Sequence, residues 1–217
     1  MAKRNLATRI VKRADRARVP LDAGAAEKLA AYVEKLRRWN ARINLTALAD
    51  NDEGLDRLVI EPVSAARYLP KTGWLIDVGS GGGSPAVPIK IVHPRLSLRM
   101  VESKARKGAF LREVSRELAL RNVEVDVCRY EELLARPELH EKHNVLTVRA
   151  VRMGRNALRN LQAFVRPGGV VGLFRGRGVT DVLDDVQPPL VWEGTYPLVE
   201  SVRSQLIVVR KINTSGE

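Results

Sequence analysis

The sequence predicts an α/β protein built on a twisted, mostly parallel β-sheet with helices on both faces. Two observations lead to this prediction. From residue 74 onward, short apolar runs typical of buried strands alternate with segments of helical spacing. The first apolar run, residues 75–78, then breaks into a turn rich in glycine, as happens where a buried parallel strand passes into a helix.

Before that strand, the sequence predicts helices. Residues 1–20 hold seven basic residues and one acidic residue, Asp15, and predict either a short basic helix that orders on RNA or a solvated arm. Pro20 would stop such a helix. Apolar residues at helical spacing predict an amphipathic helix over residues 25–42 and a second helix over 55–68. We expect residues 21–72 to form a helical cap and residues 73–217 to form the main domain.

The elements after the glycine-rich turn continue the alternation. Strands are predicted over residues 96–101, 123–128, 143–148 and 170–174, and helices over 104–120 and 153–165, with a turn at 167–169. Residues 190–212 predict an antiparallel closing pair. Ligands of such sheets bind beyond the carboxyl ends of the strands. Candidate site residues fall at those ends: residues 77–83, Glu102, residues 129–132, Arg149 and Arg175.

The turn itself predicts a cofactor site. Gly79, Gly81 and Gly83 lack Cβ atoms, so the backbone can adopt positive φ and a ligand can approach it closely. Ser84 occupies the third glycine position of the dinucleotide pattern G-x-G-x-x-G, and residues 77–83 instead resemble motif I of the methyltransferases that bind S-adenosylmethionine (AdoMet). Glu102 follows Asp77 by 25 positions, where a carboxylate can accept both ribose hydroxyls. The alternative is a tight turn without a ligand and a solvated Glu102.

Composition indicates the kind of partner. A net charge of +12 on 217 residues predicts a polyanionic partner, most simply nucleic acid, with an acidic membrane surface as the weaker alternative. No apolar run reaches the roughly 18 residues of a membrane span, and no secretory signal pattern occurs, so we expect a cytoplasmic protein. The single cysteine, Cys128, is expected to be a buried, inert thiol, and the three separated histidines predict no metal site.

Four short motifs resemble one family. Residues 39–46, W-N-A-R-I-N-L-T, are similar to W-N-x-x-x-N-L-T, and residues 77–85, D-V-G-S-G-G-G-S-P, to D-V-G-[ST]-G-x-G-x-P. Residues 148–150, V-R-A, are similar to S-R-A, and Arg175-Gly176 stands where K-G is usual. These are motifs of the RsmG (GidB) family, bacterial methyltransferases of guanine N7 in small-subunit (16S) ribosomal RNA. One segment departs: residues 57–62 read R-L-V-I-E-P where R-H-x-x-D-S is common.

The resemblance implies a class I (Rossmann-like) AdoMet-dependent methyltransferase that acts on the 530-loop region of 16S rRNA, as naked RNA or in a small-subunit particle. We expect no metal and a monomer. The cofactor would be bound by Asp77, Gly79, Ser80, Gly81, Gly83, Glu102, Tyr130, Glu131 and Arg149, with the glycines at the methionine part, Glu102 at the ribose and Tyr130 and Glu131 at the adenine.

Arg149 and Arg175 are the expected catalytic residues. They would hold guanine O6 or a flanking phosphate; the alternative is an ordinary phosphate contact or surface charge. The residues expected to bind RNA are Arg37, Arg38, Arg42, Lys104, Arg106 and Lys107. Trp39, Asn44 and Thr46 are expected to fix the cap onto the sheet rather than to contact RNA.

Chemistry separates the possible functions. Guanine N7 exposes a lone pair without a proton, so its methylation needs no general base and depends on positioning and electrostatics. Two other functions stay open at this point: a non-catalytic RNA-binding or ribosome-assembly factor that retains the fold, and a nicotinamide-dependent oxidoreductase. Ser84 in place of the third glycine argues against the oxidoreductase.

Overall fold

The computed structural model describes residues 2–47, 50–149, 156–179 and 181–213. Within them, seven strands form one sheet in the order β3-β2-β1-β4-β5-β7-β6. The strands are β1 (Gly73–Val78), β2 (Leu96–Val101), β3 (Val123–Asp126), β4 (His143–Arg149), β5 (Val165–Gly176), β6 (Leu190–Pro197) and β7 (Ser204–Lys211). Strands β1 to β5 run parallel, and β7 pairs antiparallel with both β5 and β6. The mostly parallel sheet and its antiparallel closing pair are as predicted.

Helices cover both faces of this sheet. They are α1 (Ala2–Arg16), α2 (Ala23–Ile43), α3 (Asp52–Leu55), α4 (Glu61–Ala66), α5 (Ala86–Val92), α6 (Ala105–Glu117), α7 (Tyr130–Leu134) and α8 (Ala157–Leu161). A π-helical segment, Asp56–Ile60, joins α3 to α4, so the second predicted helix of the cap is present with one wide turn in its middle. Among the described helices, none is both long and apolar enough to cross a membrane.

The core consists of two layers, one on each face of the sheet, because the side chains of each strand point alternately to the two faces. Leu75 of β1 packs in a cluster with α2, α5 and α6, whereas its neighbour Ile76 packs in a second cluster with α8. Successive side chains of a strand point to opposite faces, so each buried strand contributes to both layers. The carboxyl edge between the layers stays open between β1 and β4, where the strand order reverses, and this is the position at which such sheets bind ligands.

The N-terminal segment is a packed helix rather than a solvated arm. Leu6, Ile10 and Ala14 of α1 are buried in the same cluster as α2. Arg13 of α1 forms an ion pair with the buried Asp56 of the π-helical segment. The helix is therefore packed against the cap. Because this cluster also includes β1, the core is continuous across residues 20 and 72, and the predicted division of the chain at those positions stays a prediction.

Two predicted boundaries are wrong near β5. Residues 167–169 are part of the strand: β5 advances five positions, from Val165 to Val170, while β4 advances only two, from His143 to Val145. The extra residues form a bulge in which Gly168 has a φ of 76°. The helix predicted over residues 153–165 is described only from Asn156 onward, and it ends at Leu161, before a 3-10 turn at Gln162–Phe164. Residues 153–155 lie outside the described part of the chain.

Candidate active site

The glycine-rich turn between β1 and α5, residues 79–83, is called the glycine loop below. Gly79, Gly81 and Gly83 have φ values of 76°, 52° and 86°, so all three occupy the left-handed region as predicted. A Cβ atom on Gly83 would lie 2.9 Å from Cγ2 of Val87. The backbone N–H groups of Gly79 and Ser80 both donate to the carbonyl oxygen of Val101, at 2.9 and 3.0 Å, which ties the loop to the end of β2.

Asp77, the penultimate residue of β1, is a buried carboxylate. Its side chain is 1% exposed, and Oδ1 accepts a 2.6 Å hydrogen bond from the Thr147 hydroxyl of β4. No partner of Oδ2 occurs among the described residues. Burial raises the pKa of Asp77, while the hydrogen bonds of Thr147 and Ser80 oppose that rise. An incoming hydrogen-bond donor or cation would satisfy this oxygen.

Glu102 directly follows β2, and backbone N–H groups on both sides hold its carboxylate. Its Oε2 accepts from the Gly81 N–H at 2.9 Å, and its Oε1 accepts from the Lys104 N–H at 2.8 Å. These bonds fix the orientation of the carboxylate and hold the glycine loop against the start of α6. The glycine loop and Glu102 are therefore in direct contact, and the carboxylate is not a solvated side chain.

Two cavities open on either side of the glycine loop. The smaller, about 230 Å³, is lined by Val78, Gly79, Val101, Glu102, Ser103, Cys128, Arg129, Tyr130 and Glu131. The larger, about 710 Å³, is lined by Leu45, Thr46, Ala47, Arg57, Leu58, Glu61, Gly79, Ser80, Gly81, Gly82, Ser84, Arg149, Phe174, Arg175 and Gly176, and it is called the cleft below. Gly79 lines both, so one extended ligand can occupy the two cavities across the loop.

Cys128 differs from its prediction. Strand β3 ends at Asp126, so Cys128 lies in the following loop, half-buried at the wall of the smaller cavity. Burial, reinforced by the nearby carboxylates of Asp126 and Glu132, raises the pKa of the thiol. The thiol is therefore accessible but is not activated as a nucleophile.

The structure brings the two predicted catalytic arginines to one wall of the cleft. Arg149, at the end of β4, donates a 2.6 Å hydrogen bond to the carbonyl oxygen of Arg57 in the cap. Arg175, near the end of β5, donates a 3.0 Å hydrogen bond to the carbonyl oxygen of Phe174. Neighbouring parallel strands place their carboxyl ends side by side, which is why residues 26 positions apart share a cavity.

Sequence reasoning missed two residues that the cap contributes to the site. Tyr32 of α2 is fully buried, and its phenol donates a 2.6 Å hydrogen bond to the carbonyl oxygen of Gly82. Glu61 begins α4 and reaches the cleft, with its Oε2 3.9 Å from the Arg149 guanidinium. The acid of the divergent segment 57–62 was a signal for Glu61, whereas Tyr32 resembles any apolar residue of its helix.

The residues predicted to bind RNA divide into two groups. Arg38, Arg42, Lys104 and Arg106 are exposed, and Lys107 is half-buried; among the described residues none of these five has an acidic partner within ion-pair distance. Arg37 forms an ion pair with Asp50, so its charge is compensated. Two of the five uncompensated residues, Arg38 and Arg42, lie near the end of α2, and the other three lie at the start of α6.

Residues 39–46 shape the path from α2 to the cleft. The Trp39 ring packs edge-on against Phe110 of α6, with centroids 5.8 Å apart, and its Nε1 donates to Glu113 at 3.3 Å. Asn44 caps the helix with a φ of 49°, and the Thr46 N–H donates to Oδ1 of Asn40 at 2.8 Å. These contacts agree with the structural role predicted for the motif, and Thr46 also lines the cleft.

No group of three or more His, Cys, Asp or Glu side chains is arranged to hold a metal ion in the part of the chain that the structure describes.

The strand order and the ligand loop after the first strand define a class I methyltransferase fold. TrmN from Thermus thermophilus shares it with a TM-score of 0.57 and 15% identity, over 82% of this chain and 52% of that one. P. horikoshii TYW2 in complex with MeSAdo shares it with a TM-score of 0.59 and 9% identity, over 78% of this chain and 67% of that one. At these identities the likeness concerns the fold.

The family follows from the sequence itself. A family model described as rRNA small subunit methyltransferase G (GidB) matches residues 25–193, and the chain belongs to this family. A relative from Syntrophobacter fumaroxidans, named Ribosomal RNA small subunit methyltransferase G 1, is 36% identical over 162 residues, 74% of each chain. One from Roseiflexus castenholzii, named Ribosomal RNA small subunit methyltransferase G, is 40% identical over 132 residues, which are 60% of this chain and 56% of that relative. The predicted family and the predicted class I methyltransferase fold are confirmed.

Proposed function

We propose that this methyltransferase transfers a methyl group from AdoMet to N7 of a guanine in small-subunit (16S) ribosomal RNA, in the 530-loop region. One observation carries the proposal: two cavities meet at the glycine loop, one beside Glu102 and the other beside Arg149 and Arg175. A cofactor that crosses the loop at Gly79 presents its reactive centre to the cleft.

The residues around the loop fit AdoMet. Oδ2 of buried Asp77, which has no partner among the described residues, can accept a hydrogen bond from the ammonium group of the methionine part. The positive-φ glycines leave room beside the backbone. The carboxylate of Glu102, fixed by two backbone N–H groups, retains lone pairs for the ribose hydroxyls. Tyr130 and Glu131 line the smaller cavity where the adenine would lie. Bound AdoMet supplies an electrophilic methyl group on a sulfonium.

The cleft fits a single base as the acceptor. Its volume of about 710 Å³ lies within the usual range of small-ligand pockets. Enzymes that modify a base bring it out of the stack into such a pocket. Because N7 carries no proton, the protein's task is to orient the ring and to exclude water, which the side chains of Leu45, Leu58 and Phe174 at the wall of the cleft support.

Charge supports RNA as the substrate. The net charge is +12. Five exposed or half-buried basic residues that form no ion pair within the described part of the chain lie at the ends of elements that border the site: Arg38, Arg42, Lys104, Arg106 and Lys107. Relatives in this family are named for small-subunit ribosomal RNA. We propose the monomer as the active form and either naked RNA or a small-subunit particle as the substrate.

The cofactor part of the proposal is tested by calorimetric titration with S-adenosylhomocysteine and, separately, with NAD. We expect binding of S-adenosylhomocysteine alone. Gly83→Ala places a methyl group against Val87 and should abolish that binding. Gly168→Ala is the matched control, because Gly168 also has positive φ but a Cβ there would meet no atom within 4 Å. Binding of NAD alone, or equal loss in both variants, would contradict the proposed site.

The RNA part is tested with labelled AdoMet and unmethylated small-subunit RNA. Incorporation of label into RNA is the expected result. RNA binding without incorporation, together with absent binding of S-adenosylhomocysteine, would favour a non-catalytic RNA-binding factor instead.

A further inference from the structure

Glu61 is a buried acid on the wall of the cleft. Its side chain is 5% exposed, and it lines the cavity together with Arg149 and the glycine loop. The carboxylate accepts no hydrogen bond from any residue that the structure describes: the nearest charged group, the Arg149 guanidinium, is 3.9 Å away. That separation exceeds a hydrogen bond, so lone pairs of Glu61 remain available on the cleft side.

Arg149 does not neutralise this acid by direct contact. Its NH1 group donates at 2.6 Å to the carbonyl oxygen of Arg57. Burial raises the pKa of Glu61, and the charges of Arg149 and Arg57 oppose that rise and favour the ionised form. A buried carboxylate without a hydrogen-bond donor is costly, and a site that keeps one is a candidate for ligand recognition.

We propose that Glu61 recognises the N1–H and N2 amino groups of the target guanine while Arg149 binds its O6, which rests on the function proposed above. On guanine, O6 lies between N7 on one side and N1–H on the other. A carboxylate and a guanidinium side by side therefore match N1–H, the N2 amino group and O6. Recognition at that edge leaves N7 free to accept the methyl group.

The same pair of charges rejects adenine. Adenine has a lone pair at N1, which the Glu61 carboxylate repels, and an amino group at C6, which the Arg149 guanidinium repels. It also lacks the amino group at C2. A site built to pair with a donor discriminates strongly against a base that lacks it, because the buried acceptor is then left unpaired. Glu61 is thus a specificity-determining residue.

The test compares two small-subunit RNAs assembled by ligation, one with guanine and one with inosine at the methylated position. Inosine keeps N7, O6 and N1–H and lacks only the N2 amino group. The wild-type chain should methylate the inosine RNA with a kcat/KM lower by about 10-fold or more. Glu61→Gln should lose about 100-fold on the guanine RNA and should no longer distinguish the two RNAs. Glu53→Gln, the same change at an exposed acid of the same helical segment, is the control and should behave as wild type.

Each outcome decides the proposal. Equal turnover of both RNAs by the wild-type chain overturns it, as does a Glu61→Gln chain that keeps the full wild-type preference for guanine, because a purely structural role would lower both rates equally. If Glu61→Gln has no measurable turnover, Glu61→Asp, which retains the carboxylate, should keep the preference, and loss of it overturns the proposal. Titration with S-adenosylhomocysteine checks that each variant retains the cofactor site. Absence of N7 methylation by the wild type would instead refute the proposed function.

Discussion

The phenol of Tyr32 donates a 2.6 Å hydrogen bond to the backbone carbonyl oxygen of Gly82, 50 residues later in the chain. Tyr32 lies on α2 and is fully buried, whereas Gly82 lies in the glycine loop. A Cβ on Gly82 would meet Leu36 of the same helix at 2.9 Å. The cap therefore packs directly on the ligand loop and holds its conformation.

Tyr32→Phe should weaken cofactor binding. The change leaves the Gly82 carbonyl without its partner, which costs about 1–2 kcal/mol. We expect a Kd for S-adenosylhomocysteine raised by about 10-fold, the equivalent of 1.4 kcal/mol, measured by calorimetry. Tyr68→Phe is the matched control, since it preserves the ring stacked on Tyr196 at a centroid distance of 4.1 Å. An unchanged Kd in Tyr32→Phe would show that the bond does not support the loop.

The ion pairs of α1 should differ sharply in their contribution to stability. Arg13 pairs with Asp56, which is 2% exposed and also accepts from the Ser201 hydroxyl. Arg13→Ala leaves a buried carboxylate without its cation and should cost about 3–5 kcal/mol. Arg9 pairs with the exposed Asp52, so Arg9→Ala should cost about 1 kcal/mol or less. Urea denaturation measures both; similar losses would contradict the account of the packed α1.

His143 should make folding sensitive to acid. It is 1% exposed, its Nδ1 lies 3.0 Å from the carbonyl oxygen of Phe164, and burial lowers its pKa from 6.5 to about 4. Below pH 6.5 the histidine is protonated in the unfolded chain but stays neutral in the folded chain. The free energy of unfolding therefore falls by about 3 kcal/mol as the pH drops from 6.5 to 4. Above pH 6.5 this contribution is fully present.

The measurement is the free energy of unfolding at several pH values for the wild type and for His143→Asn. The difference between the two chains isolates the histidine from the carboxylates, which titrate in both. We expect the wild type to lose more stability than the variant between pH 6.5 and 4. If the free energy of unfolding depends on pH in the same way in both chains, His143 is not neutral in the folded protein.

The two edges of the sheet should contribute unequally to RNA binding. Lys104, Arg106 and Lys107 lie at the carboxyl edge, whereas Arg95, Arg121 and Lys142 are exposed just before β2, β3 and β4, at the amino edge. Alanine at the first three should reduce the slope of log K against log salt by about 2, since each phosphate contact contributes about 0.7–0.9. Alanine at the second three should leave the slope nearly unchanged. If both triple variants reduce the slope equally, the RNA does not bind preferentially at the carboxyl edge.

Much of the site was predictable because its signals are local. The glycine loop and Glu102 each follow a strand directly, and the parallel order of the strands places their ends at one edge. The same rule brought Arg149 and Arg175 to the cleft. Predicting these features requires only that a strand and the residue at its end be recognised, and a short stretch of sequence is enough for both.

Contacts between separate segments of the chain were not predictable in this way. Helical periodicity shows that Tyr32 faces the core, yet nothing in it shows that the phenol meets Gly82. The residues next to Arg37 in the sequence do not show that its charge is paired, and only the fold places Asp50 against it. The packing of α1 was ambiguous because Ala14, a small residue, completes the stripe of Leu6 and Ile10. These relationships depend on tertiary packing between distant segments.

Methylation of guanine N7 can be detected in the RNA itself. Unmethylated 16S rRNA or small-subunit particles are incubated with the chain and AdoMet, then reduced with borohydride and cleaved with aniline, a treatment that breaks the strand at N7-methylguanine. We expect one new cleavage site in the 530-loop region, present with the wild type and absent with Arg149→Ala. Label incorporated into the RNA without any cleavage site would contradict N7 methylation, because the methyl group would then lie on another atom.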